Sequence, residues 1–268
     1  MKKADALRRA RNAQFISGIH NYCDRWCERC EMTGRCAIYD PADDRRRNPH
    51  AGDVERAEFW NKLTETLLAT LETVREMAAK QGISLNDADM AEYDRESERQ
   101  RATAEAHPLA RLARKYAANV EAWFKSHEAL FRSKEDELQS VHAMELPGRR
   151  PEADAAVIGD CVEVIRWHQY QIHVKLMRAL EHEPLVCDDP GEPNDADGSA
   201  KVALIGANRS LAAWGRLQEH LPQATDTILD LLALLERIRR LTERVFRGAR
   251  AFVRPGFDAP KPKQEACM

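Results

Sequence analysis

The chain has 268 residues, a formal net charge of -3, a high charged fraction and few aromatic residues. That length can bury a sizeable core in one large or two small domains. The charge balance offers no global basic field for nucleic acid, and no apolar run approaches the roughly 20 residues of a membrane span.

The N-terminus, "MKKADALRRARNAQF", is basic but lacks the apolar core of a secretory signal. We therefore expect a cytoplasmic protein with reduced thiols. Apolar spacing predicts a first helix from about Ala4 to Arg29, with Leu7, Phe15, Ile19, Tyr22 and Trp26 in its stripe. Lys2, Lys3, Arg8, Arg9 and Arg11 make this helix basic. "DPADDRRRNPH" reads as a polar loop. A second helix follows from about Asp53, as N-cap, to Lys80, with Gly82 ending it. Trp60, Leu63, Leu67, Leu71, Val74 and Ala78 form its expected core face.

Ser84 to His107 reads as a solvated helix or an arm. From Pro108 the pattern sharpens, with Leu109, Leu112, Tyr116, Val120, Trp123, His127 and Leu130 on one face. "ELPGRRPEAD" breaks the chain before a helix from about Pro151 to Glu181. The acidic turn "CDDPGEPNDADGS" ends in Asp197 or Ser199 as candidate caps. Helices from about Ala200 to His220 and from Thr225 to Ala251 follow, separated by Pro222.

The expected fold is all-α: an up-down helical bundle with an N-terminal helix carrying a four-cysteine metal site. Residues 1–49 are the N-terminal helix and metal-binding segment, 50–255 the bundle, and 256–268 a disordered tail. The five tryptophans, at 26, 60, 123, 167 and 214, are assigned to helix packing.

Four of the seven cysteines, Cys23, Cys27, Cys30 and Cys36, stand at C-x3-C-x2-C-x5-C. Clustered thiols in a reducing compartment point to metal, not to disulfides. On a continuous helix Cys23, Cys27 and Cys30 share one stripe, and Cys36 returns after the Thr33-Gly34 turn. A straight helix separates the Cα atoms of Cys23 and Cys30 by about 10 Å. Zinc needs its sulfurs about 4 Å apart, whereas a cubane holds them farther apart. The geometry favours [4Fe-4S]; unwinding at Trp26 to Glu28 would readmit zinc. Arg25 and Arg29 could offset thiolate charge.

The C-x2-C-x5-C triplet of Cys27, Cys30 and Cys36 resembles the closing ligands of the [4Fe-4S] site in endonuclease III-type DNA glycosylases. It is also similar to those in AddB-type and CRISPR-associated exonucleases. In these families the first cysteine stands at a different interval, so the resemblance reaches three cysteines and not Cys23. It implies a cluster and carries neither family's activity. "CDRWCERC" also resembles a motif of uncharacterised bacterial proteins.

His127 and His168 fall on apolar faces and are candidates to line a cofactor or second metal pocket in the bundle core. Glu65, Glu72, Glu121, Asp160 and Glu163 are further candidate carboxylates for it. The Glu-x-x-His pairs of di-iron bundles are absent from the sequence. Cys161 reads as core; Cys187 and Cys267 have no partner that would make either a nucleophile. Arg237, Arg240, Arg244, Arg247 and Arg250 form a stripe that could meet a nucleic-acid or protein partner. Three functions remain: a structural or redox-sensing metalloprotein, a redox enzyme using the bundle pocket, or a zinc-stapled nucleic-acid or protein-binding module.

Overall fold

A computed structural model describes residues 13–39, 57–82, 87–145, 147–181 and 194–258. Seven α-helices are present and no strand occurs among the described residues: α1 Ala57–Lys80, α2 Asp87–Ala106, α3 Pro108–Ser126, α4 Glu128–Ala143, α5 Pro151–Glu181, α6 Asp195–His220 and α7 Thr225–Val245. The chain divides into two compact units. One comprises Asn21–Trp26 with Gln100–Arg254; the other comprises Met1–His20, Cys27–Arg99 and Pro255–Met268.

The bundle belongs to the first of these units. Helix α5 packs along α6, α6 along α7, α7 along α3, and α3 along α5, which closes a four-helix ring. Helix α5 has 31 residues and reaches about 46 Å, so it pairs with both α3 and the shorter α4. His127 alone separates α3 from α4. Its backbone leaves helical geometry at ψ 13°, while Ser126 Oγ donates to the Trp123 carbonyl.

Local chemistry sets the helix ends. Pro108 opens α3 as the residue whose missing N–H costs nothing there, and the His107 side chain accepts the Leu109 N–H. Pro151 opens α5 in the same way, with Glu152 and Asp154 in its first turn. Helix α6 begins earlier than expected. Asn194, not Asp197 or Ser199, is its N-cap, accepting from Ala196 and Asp197 N–H. This frees Asp195 and Asp197 to sit at the positive end of the helix. Helix α7 ends at Val245, short of Ala251. Phe246 and Ala249 turn into the core there, so the chain leaves the helical path.

The core layer between α3 and α6 is aromatic. Trp123 meets Trp214 edge-to-face at 4.8 Å, and Phe124 lies against both. Both buried indoles have partners: Trp123 Nε1 donates to Thr227 Oγ1 at 2.9 Å, and Trp214 Nε1 to Tyr116 Oη at 3.0 Å. Burial pushes the Tyr116 phenol up to about 12, so it stays neutral. Cys161 is buried in this core, as expected.

In the second unit, α1 ends at Lys80 as expected and is described from Ala57. Its expected core face differs: Leu67, Leu71 and Val74 are between 49% and 56% exposed, and of that stripe Ala78 is buried. The side chains of Trp60 and Leu63 and the Asp53 cap lie outside the described residues, as do Cys187 and Cys267. Helix α2, which belongs partly to each unit, is polar all round, with Arg101 and Glu105 paired at i, i+4. The expected disordered tail is described to residue 258. Gly256 there has φ +77°, and a side chain on it would collide with Ile16 and Ile19. Residues 259–268 lie outside the described part.

Tyr116→Phe should leave the Trp214 indole N–H buried without a partner. We expect a loss of about 1–3 kcal/mol, measured by urea unfolding; an unchanged midpoint would show that the pair contributes nothing.

Candidate metal centre

The cysteine segment is not a helix. From residue 13 to 36 the backbone makes three short 3-10 turns, Ile19–Tyr22, Cys27–Arg29 and Thr33–Arg35. The expected single helix therefore fails between Ala13 and Arg29; residues 1–12 lie outside the described part. Two residues explain the break. Gly18 takes φ +70°, and Arg25 takes φ +58° after Asp24, whose Oδ1 accepts the Trp26 N–H. Without a continuous helix the spacing of about 10 Å between Cys23 and Cys30 no longer holds, which removes the straight-helix argument against zinc; Cys27 and Cys30 share one tight turn.

Asn21–Trp26 forms a strap on α5 and α6 of its own unit. The Asn21 carbonyl accepts Lys175 Nζ at 3.1 Å. The Asp24 carbonyl accepts both Trp167 Nε1, at 3.0 Å, and Gln171 Nε2, while its carboxylate pairs with Arg209. Tyr22 donates to Asp195 Oδ1 at 3.1 Å, and Arg178 binds the same carboxylate through two N–H groups. Burial, reinforced by Asp195, raises the Tyr22 phenol to about 12. Trp26 stacks on Trp167 at 4.9 Å and meets His168 edge-on.

Cys23 lies within this strap. Burial pushes the Lys175 ammonium below its ordinary range, against a smaller opposing influence of the nearby Cys23. Lys175 thus stands near the one thiol that the family resemblance does not reach.

The remaining three cysteines belong to the other unit, where the chain folds back on itself. The Ile16 N–H donates to the Arg35 carbonyl at 3.0 Å, and Arg35 Nε donates to the Gln14 carbonyl. Gly256 packs against Ile16, Ile19 and Met32. Within the loop the Cys30 N–H donates to the Cys27 carbonyl, and the Cys36 N–H to that of Thr33. The Met32 N–H donates to Cys30 Sγ at 3.4 Å. The described cysteines form no disulfide. Among the described residues, no three His, Cys, Asp or Glu side chains are gathered as a ready ligand set.

The two histidines occupy separate places. His127 stacks on Trp123 at 4.3 Å, and its Nδ1 lies 2.8 Å from the Trp123 carbonyl. His168 is fully buried beside Gly206 and Ile172. Gln171 Nε2 donates to the strap, so its Oε1 faces His168 Nδ1 at 2.9 Å and Nδ1 carries the proton. His168 Nε2 is then an acceptor, with no protein partner among the described residues. His127 and His168 have no hydrogen-bond or ring partner in common.

Sequence reading missed the strap's receiving face. Trp167, Gln171, Lys175 and Arg178 recur at helical spacing on α5, beside its apolar stripe. A long polar or aromatic row on a buried helix was the available signal. Comparison with protein-family models, curated proteins and solved structures finds no match to the chain. No helix among the described residues is long and apolar enough to cross a membrane.

A β-carbon at position 198 would collide with the Tyr22 ring and lie 2.7 Å from Phe252. Gly198→Ala should therefore displace the strap at a cost of about 1–3 kcal/mol. Faster proteolysis near Tyr22 would register this; an unchanged digestion pattern would refute it. Burial also holds the His168 and His173 imidazoles below their ordinary range. The unfolded chain then binds more protons, so their contribution is complete above about pH 6.5 and is lost as pH falls below it. The melting temperature should fall between about pH 7 and pH 5. His168→Gln should flatten that slope, and an equal slope in the variant would exclude His168 as a contributor.

Proposed function

We propose that Cys23, Cys27, Cys30 and Cys36 bind a metal centre, [4Fe-4S] or zinc, in a non-catalytic helical-bundle protein. The metal has a structural role and makes the segment redox-responsive if it is iron–sulfur. The observation that carries this reading is the placement of four reduced thiols within fourteen residues of chain that turns tightly instead of running as a helix. The Ile16 to Arg35 bond supports it, because the chain that leaves the first turn comes back at Cys36. So does the amide donated to Cys30 Sγ. The thiolates would supply all the ligands, and metal binding would add its free energy to folding of the loop.

Protein purified without oxygen should hold about one zinc or about four irons per chain by elemental analysis. Cys30→Ser should lower both metal content and melting temperature. Metal lost at unchanged melting temperature would eliminate the structural role; wild-type protein binding neither metal on reconstitution would eliminate the site.

A further inference from the structure

A second site is independent of the cysteines. Arg237, Arg240 and Arg244 stand at i, i+3 and i+7 on α7, on one edge of the helix. They line a cleft of about 540 Å³, with Pro108 at the start of α3 as part of the opposite wall. Ala233 and Leu241 add apolar side chains to its lining.

Charge is unevenly distributed along α7. Glu236 is clamped by Arg239 and Arg240, with N–O distances of 2.6–2.7 Å, and these contacts hold its carboxyl down at about 2. Glu243 is bound by Arg239 at 3.3 Å and by Arg250. Both carboxylates on this face are thus already shared between two guanidiniums. Arg237 and Arg244 have no ion-pair partner among the described residues, and both are exposed. The cleft walls hold three arginines and one glutamate, an excess of two positive charges.

We propose that this cleft binds the diphosphate group of a small phosphorylated molecule. Guanidiniums present planar pairs of N–H donors that match phosphate oxygens. Seven residues of helix span about 10 Å, a separation from which two long arginine side chains can converge on one diphosphate. The volume falls in the range of small-ligand pockets, and the apolar side chains of Ala233 and Leu241 in the lining could meet a non-ionic body attached to the phosphates. Arg239 and Arg250 are occupied by carboxylates, and α7 ends at Val245, so its unpaired guanidiniums stop at Arg244 and Arg247 lies beyond the helix. The positive end of α3 at Pro108 adds to the field.

Titration calorimetry with inorganic pyrophosphate tests the proposal, using the full chain. Wild-type protein should bind pyrophosphate more tightly than orthophosphate. The double variant Arg237→Gln/Arg244→Gln should bind it about tenfold or more weakly. Its circular dichroism should be unchanged, because neither side chain makes an ion pair. Arg250→Gln, outside the cleft, should bind like wild type. Absence of pyrophosphate binding to wild type would overturn the proposal. So would equal binding by the double variant, or equal weakening by Arg250→Gln. A labelled single-stranded oligonucleotide bound through Arg237 and Arg244 without pyrophosphate binding would assign the cleft to nucleic acid instead.

Discussion

Two backbone carbonyls govern the unit that contains the bundle. Asn21 and Asp24 lie in chain that is not α-helical, so their C=O groups have no ladder to join. Placed against apolar helices, each would cost free energy if left unpaired. Helix α5 answers with three long donors, Trp167, Gln171 and Lys175. The strap can be irregular because the donors are supplied from outside it. The same hydrogen bonds reach further, since orienting the Gln171 amide also fixes which nitrogen of His168 is protonated. A single buried row on α5 thus sets both the path of the strap and the state of a core histidine.

This explains why the bundle was legible and the strap was not. Helix α5 could be bounded at Pro151 and Glu181 because proline at its start and a periodic apolar stripe are local signals. The start of helix α3 at Pro108 was readable for the same reason, but the expected face ran on through His127 to Leu130 and the break at His127 was not read. The strap was read as helix because Phe15, Ile19, Tyr22 and Trp26 recur at helical spacing. In the structure Tyr22 and Trp26 are buried by contacts with Phe252 and Trp167, far away in sequence. Tertiary contact gives aromatic residues a reason to be buried without any helix, and no window of neighbouring residues contains that information. Gly18 and Asp24 were the local warnings.

The candidate sites divide along similar lines. The cysteine spacing and the arginine periodicity are properties of the sequence and could be read directly. Which arginines remain available was not legible. Periodicity places Arg237 and Arg240 on one edge, but carboxylate geometry decides that Arg240 is shared and Arg237 is not. On α1 the apolar row was legible, whereas its exposure was not, since burial depends on what packs against a helix.

The first turn of α6 is where chain segments distant in sequence meet. Tyr22 from the strap and Phe252 from beyond α7 both rest on Gly198, and Gly248 approaches the Asp197 carboxylate. A fragment cut from Pro108 to Val245 would keep all the helices of the four-membered ring. It would still lose the covering of α6 from both sides and expose the donors of α5. The compact unit around the ring is accordingly discontinuous along the chain, and limits drawn around the helices alone would divide it.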